Sequence, residues 1–215
     1  VYLQLANTLV HEIAPNAVTI AEDVSGLPGL CLPVAENGIG FDYRLAMGIP
    51  DLWINLIKNL RDEDWPMEAL YNAITNRRAD ERHVGYCESH DQAMVGDQTI
   101  AMRLMGAAMY HDMAIAHENL LIDRGIALHK VIRLLSCAFG GEAWLCFIGN
   151  EFGHPEWIDF PREGNGFSFA HAHRKWSLVD NPFLRYQHLN NFDRAMLRLD
   201  DTHRFMTATP MRLLA

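Results

Sequence analysis

The alternation of apolar and polar positions along the chain predicts short buried strands separated by amphipathic helices. Apolar runs bounded by glycine, proline or acidic residues are typical of strands, and they span residues 18–23, 41–45, 83–91 and 143–149. Apolar residues at helical spacing predict helices over residues 2–13, 30–36, 50–60, 67–75, 99–109, 123–139 and 182–199. Nearly all-apolar strands that alternate with helices indicate a parallel sheet covered by helices. The predicted fold class is therefore α/β.

Two architectures fit this pattern, an open doubly wound sheet and a (β/α)₈ barrel. The glycine-rich phosphate-binding signatures of the open sheets, G-x-G-x-x-G after a strand and G-x-x-x-x-G-K-[ST], are not found in the sequence. In a barrel the chemistry lies at the carboxyl ends of the strands. Polar and ionisable side chains occupy those positions here: Glu22, Asp23, Asp42, His90, Asp91, Asn150 and Glu151. This placement favours the barrel.

Two carboxylates that converge from neighbouring strands are what glycosidic bond chemistry requires. One protonates the leaving oxygen, and the other attacks or stabilises the positively charged sugar. Glu22 follows an apolar run, so apolar surroundings and nearby acids are expected to raise its pKa. Asp23 points to the opposite face of the strand and is expected to be a structural hydrogen-bond partner. The alternative for all these acids is structural, since acidic residues at strand ends also cap helices.

Composition excludes several classes of protein. Of the 215 residues, 49% are hydrophobic and 21% are charged, which is typical of a globular protein. The net charge of −9 argues against a nucleic-acid partner. The longest apolar run, residues 143–148, is too short to span a bilayer, so no membrane association is expected. The four cysteines show no metal-type spacing and are expected to be reduced core residues of a cytoplasmic protein.

Several segments resemble one family in the family's order. They are TIAEDVSG (19–26), GFDYRLAM (40–47), ESHDQ (88–92), GNEFGHPEW (149–157), DFPR (159–162) and LNNFDR (189–194). These segments resemble the eukaryotic-type 1,4-α-glucan (glycogen or starch) branching enzymes of the α-amylase superfamily. The resemblance implies strands five to eight of a catalytic (β/α)₈ barrel over residues 1–199, followed by a divergent tail over 200–215.

The resemblance also implies site residues. The family's general acid/base falls on Glu22, its transition-state-stabilising aspartate on Asp91, and its sugar-binding histidine on His90. The family's nucleophilic aspartate matches a position before Val1, and the chain opens inside a predicted helix, so we expect a piece of a longer protein. The implied activity cleaves an α-1,4-glucan and transfers the chain to a 6-hydroxyl, with no metal or other cofactor. Departures at residues 169–175 leave the loop contacts there open.

Two other functions remain open, an α-1,4-glucan hydrolase and a non-catalytic glucan-binding scaffold. Other residues carry weaker expectations. No third metal ligand lies at a suitable spacing from His171 and His173. A solvated loop is therefore expected there rather than a metal site. His154 and Trp157 either pack or approach glucan, with packing favoured. Asp42 and Arg44 are expected to pair with each other or to orient their neighbours.

Overall fold

A computed structural model describes residues 1–94, 98–155 and 159–208 of the chain. The strands in these residues are β1 (Ile20–Ala21), β2 (Tyr43–Leu45), β3 (His83–Gly85) and β4 (Ala143–Trp144). The α-helices are α1 (Tyr2–Ile13), α2 (Gly48–Asn59), α3 (Met67–Thr75), α4 (His90–Met94), α5 (Ile100–Met105), α6 (Leu120–Phe139), α7 (Ser177–Asp180) and α8 (Tyr186–His203). Short 3₁₀ helices span Val34–Glu36, Asp62–Asp64, Gly106–Tyr110, Asn150–Phe152, Glu163–Asn165 and Phe205–Thr207.

The strands form one parallel sheet in chain order, β1-β2-β3-β4. The predicted mixed α/β fold with a parallel sheet is therefore confirmed. The register aligns two successive rows of residues, Ala21–Arg44–His83 and Leu45–Val84–Ala143. Because successive strand residues point to opposite sides of a sheet, these rows belong to opposite faces.

Helices α2, α3, α5 and α6 cover one face of the sheet. Their buried apolar side chains form the main core: Ile49, Trp53, Leu56, Leu70, Ile74, Ile100 and Ile132. Trp53 donates its indole N–H to Ser136 Oγ of α6 at 2.7 Å. A Cβ at Gly85 would lie 2.9 Å from the Ser136 carbonyl oxygen, so glycine there lets α6 approach β3 closely. Gly85 and His83 point to the same side of the sheet, which is the side covered by helices. Val84 points to the opposite side, here called the far face.

The third and fourth strands are shorter than the sequence predicts. The expected strand over residues 83–91 ends at Gly85, and His90 and Asp91 lie in α4. Ser89 and Gln92 turn the chain, because the Gln92 side-chain oxygen accepts from Ser89 N–H at 2.9 Å and Ser89 Oγ accepts from Asp91 N–H at 3.2 Å. Placing His90 and Asp91 on a strand was therefore wrong.

Helix α1 docks through its polar side. Gln4 and Asn7 donate to the carbonyl oxygens of Gly38 and Ile39 at 2.9 and 3.0 Å. The apolar side chains of the same helix point away from the chain and are exposed, among them Tyr2, Leu3, Leu5, Leu9 and Ile13. Beside α1, β1 has a strand partner on one side only within the described residues. Within the described residues, an apolar helix face and a strand edge are thus both left uncovered.

One buried histidine lies outside the predicted site. His129 of α6 is 1% exposed, and neither ring nitrogen has a hydrogen-bond partner within the described part of the chain. Burial and, to a smaller extent, the charges of Arg133 and Lys130 together lower the pKa of His129 to about 3. The imidazole is therefore held neutral in the folded chain.

Acid is expected to destabilise the fold through His129. Between pH 6.5 and 3 the unfolded chain binds a proton on this histidine and the folded chain does not, so the free energy of unfolding falls as the pH drops through this window. Replacing His129→Leu in the full-length protein should shrink the loss of Tm between pH 7.5 and pH 5. The control His188→Leu removes an exposed imidazole of α8 and should keep the acid sensitivity. Equal pH dependence in wild type and His129→Leu would contradict this assignment.

The carboxyl-terminal part of the described chain continues the helical layer. Helix α8 extends to His203, beyond the predicted boundary at residues 199 and 200, and Asp200 Oδ1 accepts from Met206 N–H at 2.9 Å. The four cysteines all fall among the described residues and are free thiols, buried or half-buried. Among the helices of the described ranges, none is long and apolar enough to cross a membrane.

Candidate active site

Glu22 lies directly after β1, on the far face of the sheet. Its neighbour Ala21 pairs with Arg44 on the helix-covered side, so the next residue points to the far face, in line with Leu45 and Val84. The side chain is exposed, and within the described residues it makes no side-chain hydrogen bond. A carboxyl group at this position is free to meet a ligand.

Tyr86 lies on the same face of the sheet as Glu22, and the charges of both Glu22 and Asp91 act on it. It follows Val84 by two residues, so it also points to the far face, and it is 1% exposed. Burial raises the pKa of Tyr86, and the charges of Asp91 and Glu22 raise it further, ahead of the charge of Asp51. Both predicted catalytic carboxylates therefore lie within electrostatic reach of one phenol. Sequence reasoning took Tyr86 only as an apolar strand residue, although its alternation with Val84 and Glu88 gave the same face.

His90 and Asp91 form a pair at the start of α4. His90 Nε2 lies 3.3 Å from Asp91 Oδ1, and both side chains remain about half exposed. The His90 ring also meets the Phe147 ring edge-on, with the ring centroids 6.3 Å apart. The structure thus brings together two predicted site residues and adds an aromatic neighbour from the segment after β4.

The apolar surroundings predicted for Glu22 are not found. The residue is exposed, and that part of the expectation was wrong. The physical reason is the position of β1 at the edge of the sheet, where only β2 flanks it within the described residues. An apolar strand sequence does not by itself say which side of the strand is covered.

Asp23 has the structural role that the sequence predicted. Ser25 Oγ donates to the two carboxylate oxygens at 2.8 and 2.9 Å, and an Arg44 nitrogen lies 3.4 Å from Asp23 Oδ2. The Ser25 hydrogen bond holds the pKa of Asp23 below its ordinary value. Arg44 is buried and also forms a 2.7 Å ion pair with Glu81. Asp23 therefore belongs to the helix-covered side, opposite to Glu22.

Asp42 orients its neighbours and does not pair with Arg44. Its Oδ2 accepts from Thr19 N–H at 2.7 Å and lies 2.9 Å from His11 Nε2. Burial alone would raise the pKa of Asp42, but the hydrogen bonds from Thr19 and His11 outweigh it, and the pKa is lowered. Asp42 thus links His11 of α1 to Thr19, the residue directly before β1. Direct pairing of Asp42 with Arg44, one of the two roles expected, is not observed.

Glu88 is a buried acid two residues before His90. It is 2% exposed, and its Oε2 accepts from Ile100 N–H at 2.8 Å. Burial raises the pKa of Glu88, although the Ile100 N–H and the charges of Arg133 and Arg174 oppose that rise. Glu88 therefore anchors α5 to the segment that carries His90. Its place in the ESHDQ segment is the one signal in the sequence that points to it.

Arg174 holds the segment after β4. Its guanidinium donates to the Ile148 carbonyl oxygen and to Asn150 Oδ1, both at 2.7 Å, and it lies over the Phe147 ring at 5.1 Å. Gly149 has a φ of +95°, and a Cβ there would lie 2.3 Å from Arg174 Nε. The missing side chain at Gly149 thus leaves the space that the arginine side chain occupies. Asn150 and Glu151, predicted at a strand end, lie in a 3₁₀ helix, and the Glu151 carboxylate accepts from Gly149 N–H at 2.6 Å.

The remaining histidine candidates are structural. His154 is 1% exposed; its Nε2 accepts from Lys175 N–H at 3.1 Å, so it packs as predicted. Trp157 lies outside the described residues. His173 Nδ1 bonds the Phe169 carbonyl oxygen at 3.1 Å, in the exposed loop that also carries His171. Over the described ranges, no group of three or more potential metal ligands converges.

Comparison with known proteins identifies the sequences that this chain resembles. It is 58% identical over 207 residues to the 1,4-alpha-glucan-branching enzyme of Saccharomyces cerevisiae, covering 95% of this chain and 29% of the yeast protein. The enzyme of the same name from Candida glabrata is 59% identical, with the same coverage. The resemblance to the branching enzymes is confirmed.

The similarity to branching enzymes extends beyond yeasts. The 1,4-alpha-glucan-branching enzyme of Solanum tuberosum is 56% identical over 209 residues, which cover 97% of this chain and 24% of the potato protein. The chain thus spans about 29% of the length of the two yeast branching enzymes. No protein-family model matches it.

Proposed function

We propose that this chain is part of a 1,4-α-glucan branching transferase and supplies two of the groups that act on the sugar. The observation that carries the proposal is the 58% identity to the yeast branching enzyme over 95% of the chain. The compared region takes in 95% of the chain, and the sequence resemblance assigns Glu22 and Asp91 to catalysis. The substrate class is then an α-1,4-glucan such as glycogen, amylose or amylopectin.

The proposed architecture is the second half of a (β/α)₈ barrel, with strands β1 to β4 as strands five to eight. Parallel strands in strict chain order with helices on one face support it. In a closed barrel, the far face with Glu22 and Tyr86 would be the interior. We propose the same unit over residues 1–199, with residues 200–215 as a tail.

The proposed reaction is a double displacement. In the first step the carboxylate of an aspartate that lies outside this chain attacks C1 of the glucan. The α-1,4 bond breaks, and Glu22 gives its proton to the departing 4-oxygen. In the second step the Glu22 carboxylate takes the proton of an acceptor 6-hydroxyl, whose oxygen bonds C1 and displaces the aspartate. Asp91 stabilises the positively charged sugar in both transition states, and His90 binds its hydroxyls.

The geometry supports these roles. Glu22 and Tyr86 share the far face, and the charges of Glu22 and Asp91 both act on the Tyr86 phenol. His90 lies 3.3 Å from Asp91, so a sugar that contacts one is within reach of the other. The reaction draws on carboxylates and an imidazole, so the proposed role includes no metal or organic cofactor.

One assay on the full-length protein that carries this chain separates the three functions left open by the sequence. Amylose is the substrate, and both the iodine colour and the number of new reducing ends are measured. A fall in colour with few new reducing ends supports the branching transferase. A fall with many new reducing ends identifies a hydrolase, and unchanged colour with glucan binding identifies a scaffold; either result would overturn the proposal.

A further inference from the structure

Two of the four free cysteines lie side by side just after neighbouring strands. Cys87 follows β3 by two residues, and Cys146 follows β4 by two residues. The register pairs Gly85 with Trp144, and Leu145 N–H donates to the Gly85 carbonyl oxygen at 2.9 Å, so backbone pairing extends past the end of β4. The same offset aligns Cys87 with Cys146. Neighbouring strands lie about 4.8 Å apart, within the roughly 4.4–6.8 Å that separates the Cα atoms of disulfide-linked cysteines.

Both thiols face one buried arginine of α6. Arg133 is 2% exposed, and its Nη1 lies 4.0 Å from Cys87 Sγ and its Nη2 3.4 Å from Cys146 Sγ. The Asp193 carboxylate accepts from Nε and Nη2, so it occupies a different edge of the guanidinium. The two sulfurs therefore share the edge formed by Nη1 and Nη2, where two acceptors lie next to each other as in a bidentate pair. The side chains converge as well as the backbones.

Oxidation of the two thiols would not leave Arg133 without partners. Its Nε lies 2.8 Å from Asp193 Oδ1, and its guanidinium lies 5.3 Å from the centre of the Trp144 ring. A buried cation is costly when it loses the group that pairs with it, and neither of these contacts involves a sulfur atom. A bond between the two sulfurs is therefore compatible with the folded core.

The two thiols differ in access to solvent. Cys146 is half-buried, whereas Cys87 is buried, so an oxidant meets Cys146 first. The Cys146 S–H donates to Glu151 Oε2 at 3.5 Å, and this carboxylate can take its proton. Burial raises the pKa of Cys146 to about 11 and that of Cys87 to about 12, while the charge of Arg133 opposes the rise. Because the thiolate is the reactive form, exchange at neutral pH is slow.

We propose that Cys87 and Cys146 form a reversible disulfide when the protein meets a low-molecular-weight disulfide such as oxidised glutathione. In the first step Cys146 loses its proton and its sulfur attacks one oxidant sulfur; the oxidant S–S bond breaks, and one glutathione thiolate leaves and takes up a proton. In the second step Cys87 loses its proton and attacks the Cys146 sulfur of the mixed disulfide, which releases the second glutathione thiol. The two protein thiols lose two electrons, and the oxidant gains them. Excess thiol reverses both steps.

The bond would join the segment that leads to His90 with the segment that leads to Phe147. It closes a loop of roughly 60 residues, which lowers the entropy of the unfolded chain and so stabilises the folded one. The oxidised protein should therefore melt at a higher temperature than the reduced protein. The inference goes beyond the proposed function and holds whichever reaction the full-length protein catalyses.

The test compares full-length protein incubated with oxidised glutathione and with dithiothreitol. After free thiols are alkylated, the protein is digested with trypsin, and linked peptides are identified by mass. Cleavage after arginine places Cys87 in the peptide 83–103 and Cys146 in the peptide 134–162. The two peptides should be linked in the oxidised wild type and separate after dithiothreitol, and oxidation should raise Tm by about 2 °C or more.

Cysteine variants assign the bond. Cys146→Ala should abolish both the link and the rise in Tm. Cys137→Ala removes the other cysteine of the peptide 134–162, and Cys31→Ala removes a half-buried thiol elsewhere; both should keep the link and the rise. Oxidised wild type that carries only glutathione on Cys146, or that shows no link, would overturn the proposal. So would a link that persists in Cys146→Ala and disappears in Cys137→Ala.

Discussion

Glu22→Gln in the full-length protein should lower the turnover of branching by a factor of about 10²–10⁴ while the affinity for glucan is unchanged. Glutamine has nearly the size of glutamate but can neither give a proton to the leaving 4-oxygen nor take one from the acceptor 6-hydroxyl. Glu22 has no side-chain hydrogen bond within the described residues, so the change breaks no contact there. Initial rates of the iodine-colour change and calorimetric glucan binding measure the two effects separately.

Two control variants show whether the loss of turnover is specific to Glu22. Glu36→Gln makes the same chemical change at an exposed glutamate of a 3₁₀ helix and should leave turnover at the wild-type level. Asp23→Asn changes the adjacent residue, whose contacts with Ser25 and Arg44 place it on the opposite face, and should cost far less turnover than Glu22→Gln. Near-normal turnover in Glu22→Gln would remove Glu22 from the mechanism.

The 215-residue chain expressed by itself is expected to be inactive and poorly soluble. Tyr2, Leu5 and Ile13 of α1 are 81%, 66% and 75% exposed, and the edge of β1 is unpaired within the described residues. Apolar faces and open strand edges of this kind drive association between copies. Light scattering and size-exclusion chromatography measure the association, and the amylose assay measures the activity.

A designed pair of substitutions tests whether the α1 face is responsible. Leu5→Glu with Ile13→Glu places two charges on the exposed apolar side and should increase the soluble fraction. Thr8→Glu is the control, because Thr8 is an exposed polar residue of the same helix. A soluble, monomeric wild-type chain that melts cooperatively would contradict the expectation.

The periodicity of the sequence was sufficient for the order and type of the elements. Helix α3 has the predicted bounds, Met67–Thr75, and the four strands lie in the predicted segments and are parallel. The ends of the strands were harder to predict from the sequence, because they depend on side-chain hydrogen bonds. The Ser89 and Gln92 contacts that start α4 before Asp91 replace strand pairing with a local turn, and no apolar pattern reports such contacts.

The candidate site was predictable only where residue type and strand position agree. Alternation along β1 correctly put Asp23 and Glu22 on opposite faces. The exposure of Glu22 was missed, because burial depends on what flanks β1 rather than on the sequence of β1 itself. Tyr86 was also missed, since a buried phenol differs from an ordinary core aromatic only in its neighbours.

The close fit between Gly149 and Arg174 has a consequence for engineering and for divergence of this chain. With a φ of +95° and a Cβ position only 2.3 Å from the arginine Nε, residue 149 cannot gain a side chain while residue 174 keeps its long one. The two positions, 25 apart in sequence, are therefore expected to be inherited as a unit. Transplanting the loop into another scaffold would have to move both together.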